Sequence, residues 1–599
     1  MFLTTTTILA GVILFLPYPS LQSCISGTIE QCQRAEIAPG SSLVGEGFDI
    51  TTMQRKGAFV IDMDTFETPN KTCTLCANTH RGGKMEKIPT SVINWRPLHK
   101  SSIAIKSELL ESALAVADQV SKSVENNWKI GLGLSKGGYG VSLALSGTNS
   151  KLTTTAMEKS KQDRFNFVSH SVHCGVYSRY MMSSNPTLNQ DFKQAVEKLP
   201  QIYSPSSKVV YDAFIDTYGT HFIKKVKTGG KIVSMTSIRE CKASMMGLSS
   251  DEVKMCLGAE VAVKISSKVD IDLNAEIKFC NGKKEKVHGR RSFSNVFHDR
   301  ITEITGGQTT EGELLFSAGQ DASAYKKWLA SLPVSPDVIS YKLKPLHQLI
   351  PDGKVKRELK QAIKDYILSR GAKRECSDHC SLGRRTKPRS CECHCQSHKG
   401  LGTNCCPTRP GLAIVAFTII RGQGLYGDTA SGTDGYVKIF DENKIPLGKT
   451  PMILNNDNPY WNWELNIGDM LLSANSKLMI EVWDEDDRYD DLLGKCSLKL
   501  QSGGDQGERV CVLNYGVLFY KLKVTCGPSL SGPSCAEYES SPMDSLLEKL
   551  YVSRHARPIP KRMLFQMGLR LDGQAFNYML TDNSSVLNGD KADWLQVQA

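Results

Sequence analysis

Apolar and polar residues alternate over one long stretch near the middle of the chain, from Val261 to Phe279. Successive side chains of a strand point to opposite faces, so this pattern predicts a strand with one apolar and one charged face. A half-buried strand of a soluble sheet and a membrane-spanning strand both fit the alternation. The stretch is longer than the usual soluble strand of about 3–10 residues, which favours the membrane-spanning strand. It is also nearly twice the about 9–11 residues that such a strand needs, so the surplus would continue above the bilayer as barrel wall. Its main apolar positions are Val261, Val263, Ile265, Val269, Ile271, Leu273, Ile277 and Phe279.

Two other regions have a clear period. Apolar residues recur at helical spacing over 354–369, and Gly371 is a plausible helix end, so a helix is predicted there. From Leu412 onwards, short alternating runs separated by turn residues predict a β-sandwich. The runs are 413–420, 435–440, 461–467, 477–483 and 516–524. Residues 24 to about 370 contain no strong linker and are predicted as one large mixed domain.

The N-terminus and the cysteines indicate an exported protein. An apolar run over 8–16, followed by small residues, predicts a signal peptide over 1–23, although the usual preceding positive charge is missing. A buried N-terminal helix is the alternative. The 19 cysteines occur in clusters, which suggests local disulfides and an oxidising compartment. Asn70 and Asn583 begin glycosylation sequons, in keeping with secretion.

Length and charge set wider limits. A chain of 599 residues is too long for one hydrophobic core, so several domains are expected. The formal charge of +11 suits an anionic membrane, nucleic acid or simply a solvated basic surface. We expect a phospholipid membrane as partner and no nucleic acid. Outside the possible signal peptide, no segment is apolar enough to predict a transmembrane helix.

Residues 376–406 form a cysteine-rich segment with almost no apolar residues. Seven cysteines fall within it, so cross-links must hold it together. A zinc knuckle is the alternative to a disulfide module. The sequence alone does not fix which cysteines pair.

Two acidic clusters lie in turns of the predicted sandwich. Asp428 and Asp434 belong to the first, and the second contains Asp484, Asp486, Asp490 and Asp491. Carboxylates that converge on one point repel each other unless cations neutralise them. Calcium takes 6–8 hard oxygen ligands in flexible geometry and suits such a cluster. Tyr426 and Tyr489 lie in the same turns, where they either enter a lipid interface or pack the loops.

The segment YGTHFIKKVKTGG, from Tyr218 to Gly230, resembles the signature of the MACPF family. Paired glycines allow the backbone of such a strand to bend. Without a nearby nucleophile pattern, the histidine of the segment is expected to be structural, and no enzyme activity is predicted. The matching residues are Tyr218, Gly219, Thr220, His221, Phe222, Gly229 and Gly230.

This resemblance implies a mechanism. In the MACPF family, two segments stored as helices beside a bent sheet open into β-hairpins, which would lie here roughly at 130–185 and 240–300. One chain would then supply only four strands, so a wide closed barrel requires a ring of many copies. The family role implies killing of target cells through pores that admit delivered proteases, after storage in an acidic secretory granule.

Two further resemblances complete the domain order. Residues 376–406 resemble an EGF-like module, which implies the pairs Cys376–Cys391, Cys380–Cys393 and Cys395–Cys405, with Cys406 reaching back to Cys241. The sandwich resembles a C2 domain, which implies calcium ligands from Asp428, Asp434, Asp484, Asp486 and Asp491, with Asp490 as alternate and Asn455 as an added oxygen. Local pairs Cys496–Cys511 and Cys526–Cys535 are also expected.

These features together predict an α+β chain that acts as a secreted, calcium-dependent, pore-forming cytolytic protein. A membrane-binding or complement-regulatory MACPF protein that does not perforate membranes is the alternative. The predicted parts are a signal peptide over 1–23, a bent, twisted antiparallel sheet flanked by helical clusters over 24–372, a disulfide-rich EGF-like module over 376–406, a C2 sandwich over 411–526 and a tail of unassigned role over 527–599.

Overall fold

A computed structural model describes most of the chain between residues 24 and 569. The described ranges are 24–98, 103–134, 143–182, 186–265, 271–288, 292–316, 322–351, 353–374, 384–385, 393–395, 400–427, 429, 431–503, 507–540 and 556–569. The predicted signal peptide, Asp428, Val269, Asn583 and the pairs Cys376–Cys391 and Cys380–Cys393 fall wholly or partly outside these residues. Asn70 lies within them, exposed in a turn.

Fourteen strands are described up to residue 374, and two of them are unusually long. They are β1 Ile25–Gly27, β2 Glu36–Ile37, β3 Glu46–Asp49, β4 Gln54–Phe59, β5 Cys73–Asn78, β6 Lys84–Ile88, β7 Val92–Pro97, β8 Ile103–Leu110, β9 Leu143–Ala144, β10 Phe165–Met182, β11 His221–Arg239, β12 Arg300–Thr305, β13 Asp337–Pro345 and β14 Ala372–Arg374.

Eleven α-helices are described over the same part of the chain. They are α1 Ile29–Arg34, α2 Ala113–Ser121, α3 Lys151–Gln162, α4 Gln190–Glu197, α5 Lys208–Tyr218, α6 Glu240–Met245, α7 Ser250–Ile265, α8 Ile271–His288, α9 Phe293–Val296, α10 Ser323–Ser331 and α11 Lys354–Ser369. Helix α11 has the bounds predicted from its apolar spacing. Short 3₁₀ turns lie at Ser41–Leu43, Thr79–Arg81 and Leu346–Leu349.

The long strands β10 and β11 form the centre of an eight-stranded sheet. They pair antiparallel from Phe165 opposite Arg239 to Met181 opposite Lys225, with β-bulges on the way. Strands β7 and β8 pair with β10, while β3, β12 and β13 pair with β11 and β4 pairs with β3. A continuous apolar core that includes Trp95, Tyr177 and Trp328 packs on this sheet. The predicted α+β class with antiparallel sheets is confirmed.

The described parts of the stretch 261–279 are helical, so its interpretation as a half-buried strand of a soluble sheet is wrong. Most of it lies in α7 and α8, on either side of residues that the structure does not describe. At about 100° per residue, positions two apart lie about 200° apart around a helix, so strict alternation spreads apolar residues over all its sides. Packing against the rest of the domain therefore determines this conformation, because the local pattern does not favour an amphipathic helix.

Disulfides join neighbouring parts of the fold. The first four cysteines form Cys24–Cys76 and Cys32–Cys73, so they connect two sequence clusters. We expected local pairs within each cluster, and that prediction is wrong for these four. Near the cysteine-rich segment the structure contains Cys395–Cys405 and Cys241–Cys406, both named from the resemblance. The described strands of that segment are β15 Arg384–Arg385 and β16 Cys393–His394.

The C-terminal β-sandwich consists of two four-stranded antiparallel sheets. Its apolar core is formed by residues such as Phe417, Val437, Ile480 and Leu518. Disulfides Cys496–Cys511 and Cys526–Cys535 are present. The strands are β17 Leu412–Gln423, β18 Gly435–Phe440, β19 Pro446–Lys449, β20 Tyr460–Leu471, β21 Lys477–Asp484, β22 Asp491–Lys499, β23 Arg509–Val512 and β24 Val517–Cys526.

The tail returns to the first domain. Strands β25 Leu530–Ser531 and β26 Glu537–Tyr538 form a small hairpin, followed by β27 Ala556–Pro558 and helix α12 Lys561–Gln566. Strand β27 pairs with β14, which also pairs with β9. Ile559, Leu564 and Leu569 are buried in the large core. This docking was not predicted from the sequence.

Candidate functional site

The signature segment connects a helix end to the central strand. Gly219 ends α5 with a φ of 81°, and a Cβ there would lie 2.5 Å from the carbonyl oxygen of Phe48, so only glycine fits without strain. Thr220 accepts a hydrogen bond from the backbone N–H of Ile50, at 3.1 Å. The segment therefore fixes the start of β11 against β3.

His221 has a structural environment. Its Nε2 lies 3.1 Å from the carbonyl oxygen of Trp128, and its Nδ1 lies 2.8 Å from the hydroxyl oxygen of Thr220. Burial lowers the pKa of His221 to about 3, so the ring is neutral at physiological pH. A neutral ring that donates to Trp128 and accepts from Thr220 uses both nitrogens in holding the fold.

Two glycine pairs meet where the central sheet changes partners. Strand β11 pairs with β13 up to Gly229 and with β12 from Lys231 onwards. A Cβ on Gly229 would lie 2.0 Å from the carbonyl oxygen of Cys174, and one on Gly306 would lie 2.2 Å from that of Gly229. Backbones approach here more closely than any side chain permits, so the glycines allow the partner change at this point.

Helix α7 packs on β8 and β10, and α8 packs on α7. Val253, Cys256 and Leu257 are buried in a cluster that includes Val168 of β10. Glu260 accepts hydrogen bonds from the backbone N–H groups of Phe293 and Ser294 at the start of α9, at 2.7 and 3.1 Å.

The proposed apolar strand residues are distributed unevenly in this packing. Val261 is fully buried, Val263, Ile265 and Ile277 are half-buried, and Phe279 is 42% exposed. Nothing is described of the side chains at 271 and 273. The apolar set that alternation places on one strand face is therefore divided among several surroundings.

Two further bonds hold the α7–α8 pair closed. Lys283 of α8 forms an ion pair with Glu252 of α7 at 2.8 Å. Cys256 of α7 forms a disulfide with Cys280 of α8, with the two Cα atoms 5.5 Å apart. No partner was predicted for either cysteine, because position in the chain does not show that the two helices lie side by side.

A neutral histidine lies beneath α7. The Nε2 of His170, on β10, lies 3.4 Å from the carbonyl oxygen of Lys254, and the His170 ring packs edge-on against Phe316. Burial lowers the pKa of His170 to about 4, and the positive charge of Arg300 acts in the same direction. The contact between sheet and helix is therefore made by an uncharged ring at neutral pH.

The acidic loops of the sandwich meet at one end of it. Asp484 accepts a hydrogen bond from the backbone N–H of Asp434 at 2.6 Å, and Asp434 accepts one from the N–H of Asn455 at 2.6 Å. Asp491 lies directly opposite Asp484 across strands β21 and β22. The structure thus brings together three loops that are up to about 60 residues apart in the sequence.

Some of the proposed ligands already have protein partners. Asp490 accepts a hydrogen bond from the hydroxyl of Tyr436, and the side-chain oxygen of Asn455 accepts one from the N–H of Gly432 at 2.6 Å. Asp486 is half-buried. Among the residues that the structure describes, no group of three or more acidic, histidine or cysteine side chains has metal-binding geometry. The donor set consists only of hard oxygens, which fits calcium in chemistry.

Large apolar side chains surround this acidic end. Tyr489 is 85% exposed and Tyr426 is 53% exposed, so both rings are accessible from solvent. Two more exposed residues lie here that were not predicted: Leu454, next to Asn455, is 63% exposed, and the ring of Tyr515 lies 6.5 Å from that of Tyr426. In the sequence, each of these two residues is only an apolar residue within a turn. Such residues are too common to predict a lipid contact.

Within the described residues, no helix is both long and apolar enough to span a membrane.

Comparison with known families agrees with this architecture. The model of the MAC/Perforin domain matches residues 37–376, and the model of the C2 domain matches residues 413–513. The fold and the signature thus define a chain of the pore-forming class with a C-terminal C2 domain. This chain belongs to the MAC/Perforin family.

Individual relatives are similar over nearly the whole chain. Perforin-1 of Rattus norvegicus is 35% identical over 538 residues, which cover 88% of this chain and 96% of the relative. Perforin-1 of Mus musculus is 35% identical over 544 residues, covering 90% and 97%, and Perforin-1 of Homo sapiens is 35% identical over 522 residues, covering 86% and 93%. The predicted combination of MACPF and C2 domains in a perforin-like chain is confirmed.

Proposed function

We propose that this chain is a cytolytic protein that inserts the segment held in α7 and α8 into target membranes as β-structure. The observation that carries this proposal is a conflict between pattern and conformation. Positions 261–279 alternate in the manner of a membrane-facing strand, yet the described parts of the segment are helices, with α7 packed on the central sheet and α8 on α7. A strand would place the apolar residues on lipid and the charged residues in water.

Oligomerisation follows from the need to close the sheet. Open strand edges in lipid leave backbone N–H and C=O groups without partners, at a cost of several kcal/mol each, so inserted hairpins must form a closed barrel. One chain supplies too few strands, and we therefore propose a ring of identical copies. The first inserting segment would lie within 130–185, around β9 and α3. Passage of proteases through the pore stays a prediction.

Calcium would control docking through the C2 loops. Asp434, Asp484, Asp486 and Asp491 supply carboxylate oxygens, with Asp428 from the first loop and Asp490 once released from Tyr436. Bound calcium would remove the negative potential of this end and let it approach phosphate headgroups. Tyr426 and Tyr489 would then enter the interface, where amphipathic rings are favoured.

Secretion and storage complete the proposal. An extracellular cytolytic protein would have a cleaved signal peptide and glycans at Asn70 and Asn583. The N-terminal and C-terminal disulfides and release from an acidic granule suit the same route. The described residues give no separate argument for the granule, so it stays a prediction.

Dye release from liposomes tests the pore, with two neighbouring substitutions as a matched pair. Val263→Asp places a charge on the proposed lipid face, and Ala262→Asp places the same charge on the proposed water face; both residues are half-buried in the soluble fold. We expect the wild-type chain to cause leakage only when calcium is present. Val263→Asp should abolish this leakage, and Ala262→Asp should preserve it. Equal loss in both variants, at equal thermal stability, would refute the two-faced strand. Calcium-dependent binding without any leakage would favour the non-lytic alternative.

A further inference from the structure

Strands β11 and β12 flank the stored helices, and their pairing has a constant register. From Lys231 opposite Thr305 to Thr236 opposite Arg300, the two residue numbers of each pair add up to 536. No bulge interrupts this pairing. If both strands grew towards each other without a slip, every new pair would keep that sum, and the chain would reverse at position 268.

The disulfide between α7 and α8 obeys the same rule. Cys256 and Cys280 also add up to 536, although they lie in helices and pair through sulfur. Their Cα atoms are 5.5 Å apart, an ordinary disulfide spacing that also fits directly opposite residues in an antiparallel ladder, about 4.5–5.5 Å apart. The bond therefore already joins two residues that extended β11 and β12 would place opposite each other.

The disulfide excludes a single continuous strand through this region. Residues 24 positions apart in one strand are separated by about 80 Å at about 3.3 Å per residue, whereas a disulfide holds Cα atoms within about 7 Å. The alternating run must therefore reverse within itself for as long as the bond is intact.

A reversal at 268 divides the run into two strands of membrane-spanning length. Residues 257–266 and 270–279 contain ten residues each, and a membrane-spanning strand needs about 9–11. Because the register sum is even, opposite residues have the same parity, so the two apolar faces coincide. Leu257 faces Phe279 and Val263 faces Leu273 on one side.

The other side of this hairpin is polar throughout, apart from small residues. There Lys264 faces Asp272, a pair of opposite charges, and the disulfide closes the same face at its membrane-distant end. An odd register sum would instead have placed charged residues opposite apolar ones.

We propose that the Cys256–Cys280 disulfide is a register device that persists in the pore. It makes α7 and α8 open into one hairpin with the register of β11 and β12, with its reversal at 268 and the disulfide as a cross-strand link on the aqueous face. This inference rests on the proposed pore function and adds the register, the strand ends and the state of the cysteines. Loss of the bond during insertion would contradict it.

The first experiment uses the native full-length chain in leaking liposomes of anionic phospholipid with calcium. Free thiols are blocked before and after reduction with two different alkylating agents, and the labels at the two cysteines are read by mass spectrometry. We expect both cysteines to carry the label added after reduction, in pores as in soluble protein. Labelling before reduction in the pore fraction overturns the proposal. Absence of leakage in this wild-type sample refutes the pore function itself, which separates the two failures.

The second experiment measures the register in the background Cys256→Ser, Cys280→Ser. Three pairs, all on the polar face, are compared: Ala262→Cys with Asn274→Cys, with Asp272→Cys or with Glu276→Cys. Oxidation after pore formation, followed by trypsin cleavage at the lysine at 268, shows which pair stays linked. We expect the 262–274 pair to cross-link at least tenfold more than the other two in pores. Stronger cross-linking of the 262–272 or 262–276 pair, or equal cross-linking of all three pairs, overturns the proposed register. If the double-serine background forms no pores, the labelling experiment on the native chain decides.

Discussion

Acid should loosen the central sheet, because two buried histidines in it must remain neutral: His170 beneath α7 and His221 at the start of β11. Burial lowers the pKa of His170 to about 4 and that of His221 to about 3. In the unfolded chain both rings would bind a proton below about pH 6.5. The unfolded state therefore binds more protons, and stability falls as the pH decreases from 6.5 towards 4.

The size of this effect follows from the shifts. Between pH 7.4 and pH 5, each ring costs about 2 kcal/mol, since a unit of pKa shift corresponds to about 1.4 kcal/mol. The two together cost about 4 kcal/mol, a large part of the roughly 5–15 kcal/mol that stabilises a domain. The charges and dipoles that face the rings are the Lys254 carbonyl and Arg300 for His170, and the Trp128 carbonyl, the Thr220 hydroxyl and His347 for His221.

Hydrogen exchange on the full-length chain measures the effect. The opening free energy of amides in β10 and β11, corrected for the intrinsic exchange rate, should fall by at least about 4 kcal/mol from pH 7.4 to pH 5, since burial also lowers the pKa of His173, on β10, to about 4. His170→Gln should reduce this pH-dependent difference by about 2 kcal/mol, because glutamine does not titrate, whatever its effect at pH 7.4. The matched control is His298→Gln, at an exposed position. The reasoning is refuted if His170→Gln leaves the difference unchanged or if the control removes it.

Three further predictions concern the glycine pairs of the central sheet, the acidic loops and the tail. Gly229→Ala should prevent secretion or destabilise the domain by at least about 3 kcal/mol, because its Cβ would lie 2.0 Å from a backbone oxygen. The control Gly282→Ala, whose Cβ would have no atom within 4 Å, should stabilise helix α8 by up to about 1 kcal/mol in thermal unfolding. Asp434→Asn should weaken calcium-dependent sedimentation with anionic vesicles by at least tenfold, and Asp441→Asn, just beyond the other end of β18, should not; equal binding by both variants would contradict calcium docking at this end. Leu564→Ala should cost about 2–4 kcal/mol if the tail is docked as described, and the exposed Arg562→Ala should be neutral in the same melts; a neutral Leu564→Ala would show that the tail does not stabilise the large domain.

Local pattern determined much of this protein. The apolar spacing of α11 predicted its bounds, because a helix buries one face at a fixed period. Five sandwich strands were predicted from alternation, while β19, β22 and β23 were missed, since they are short or contain glycine and charged residues. The glycines of the signature were predicted to allow a bend, because a missing Cβ is a local property of the chain.

Tertiary structure decided what no local pattern contains. The alternation of 261–279 is a property of the sequence, but its storage as helices depends on contacts with β8 and β10, which local periodicity cannot report. Three contacts each join residues more than 50 positions apart in the chain. They are the approach of Gly306 to Gly229, the hydrogen bond from Tyr436 to Asp490 and the docking of the tail. Alternation fixed which side chains share a face, because that depends on neighbours along the chain. Only the folded chain fixed the register, because a register is a relation between two strands that the sequence keeps apart.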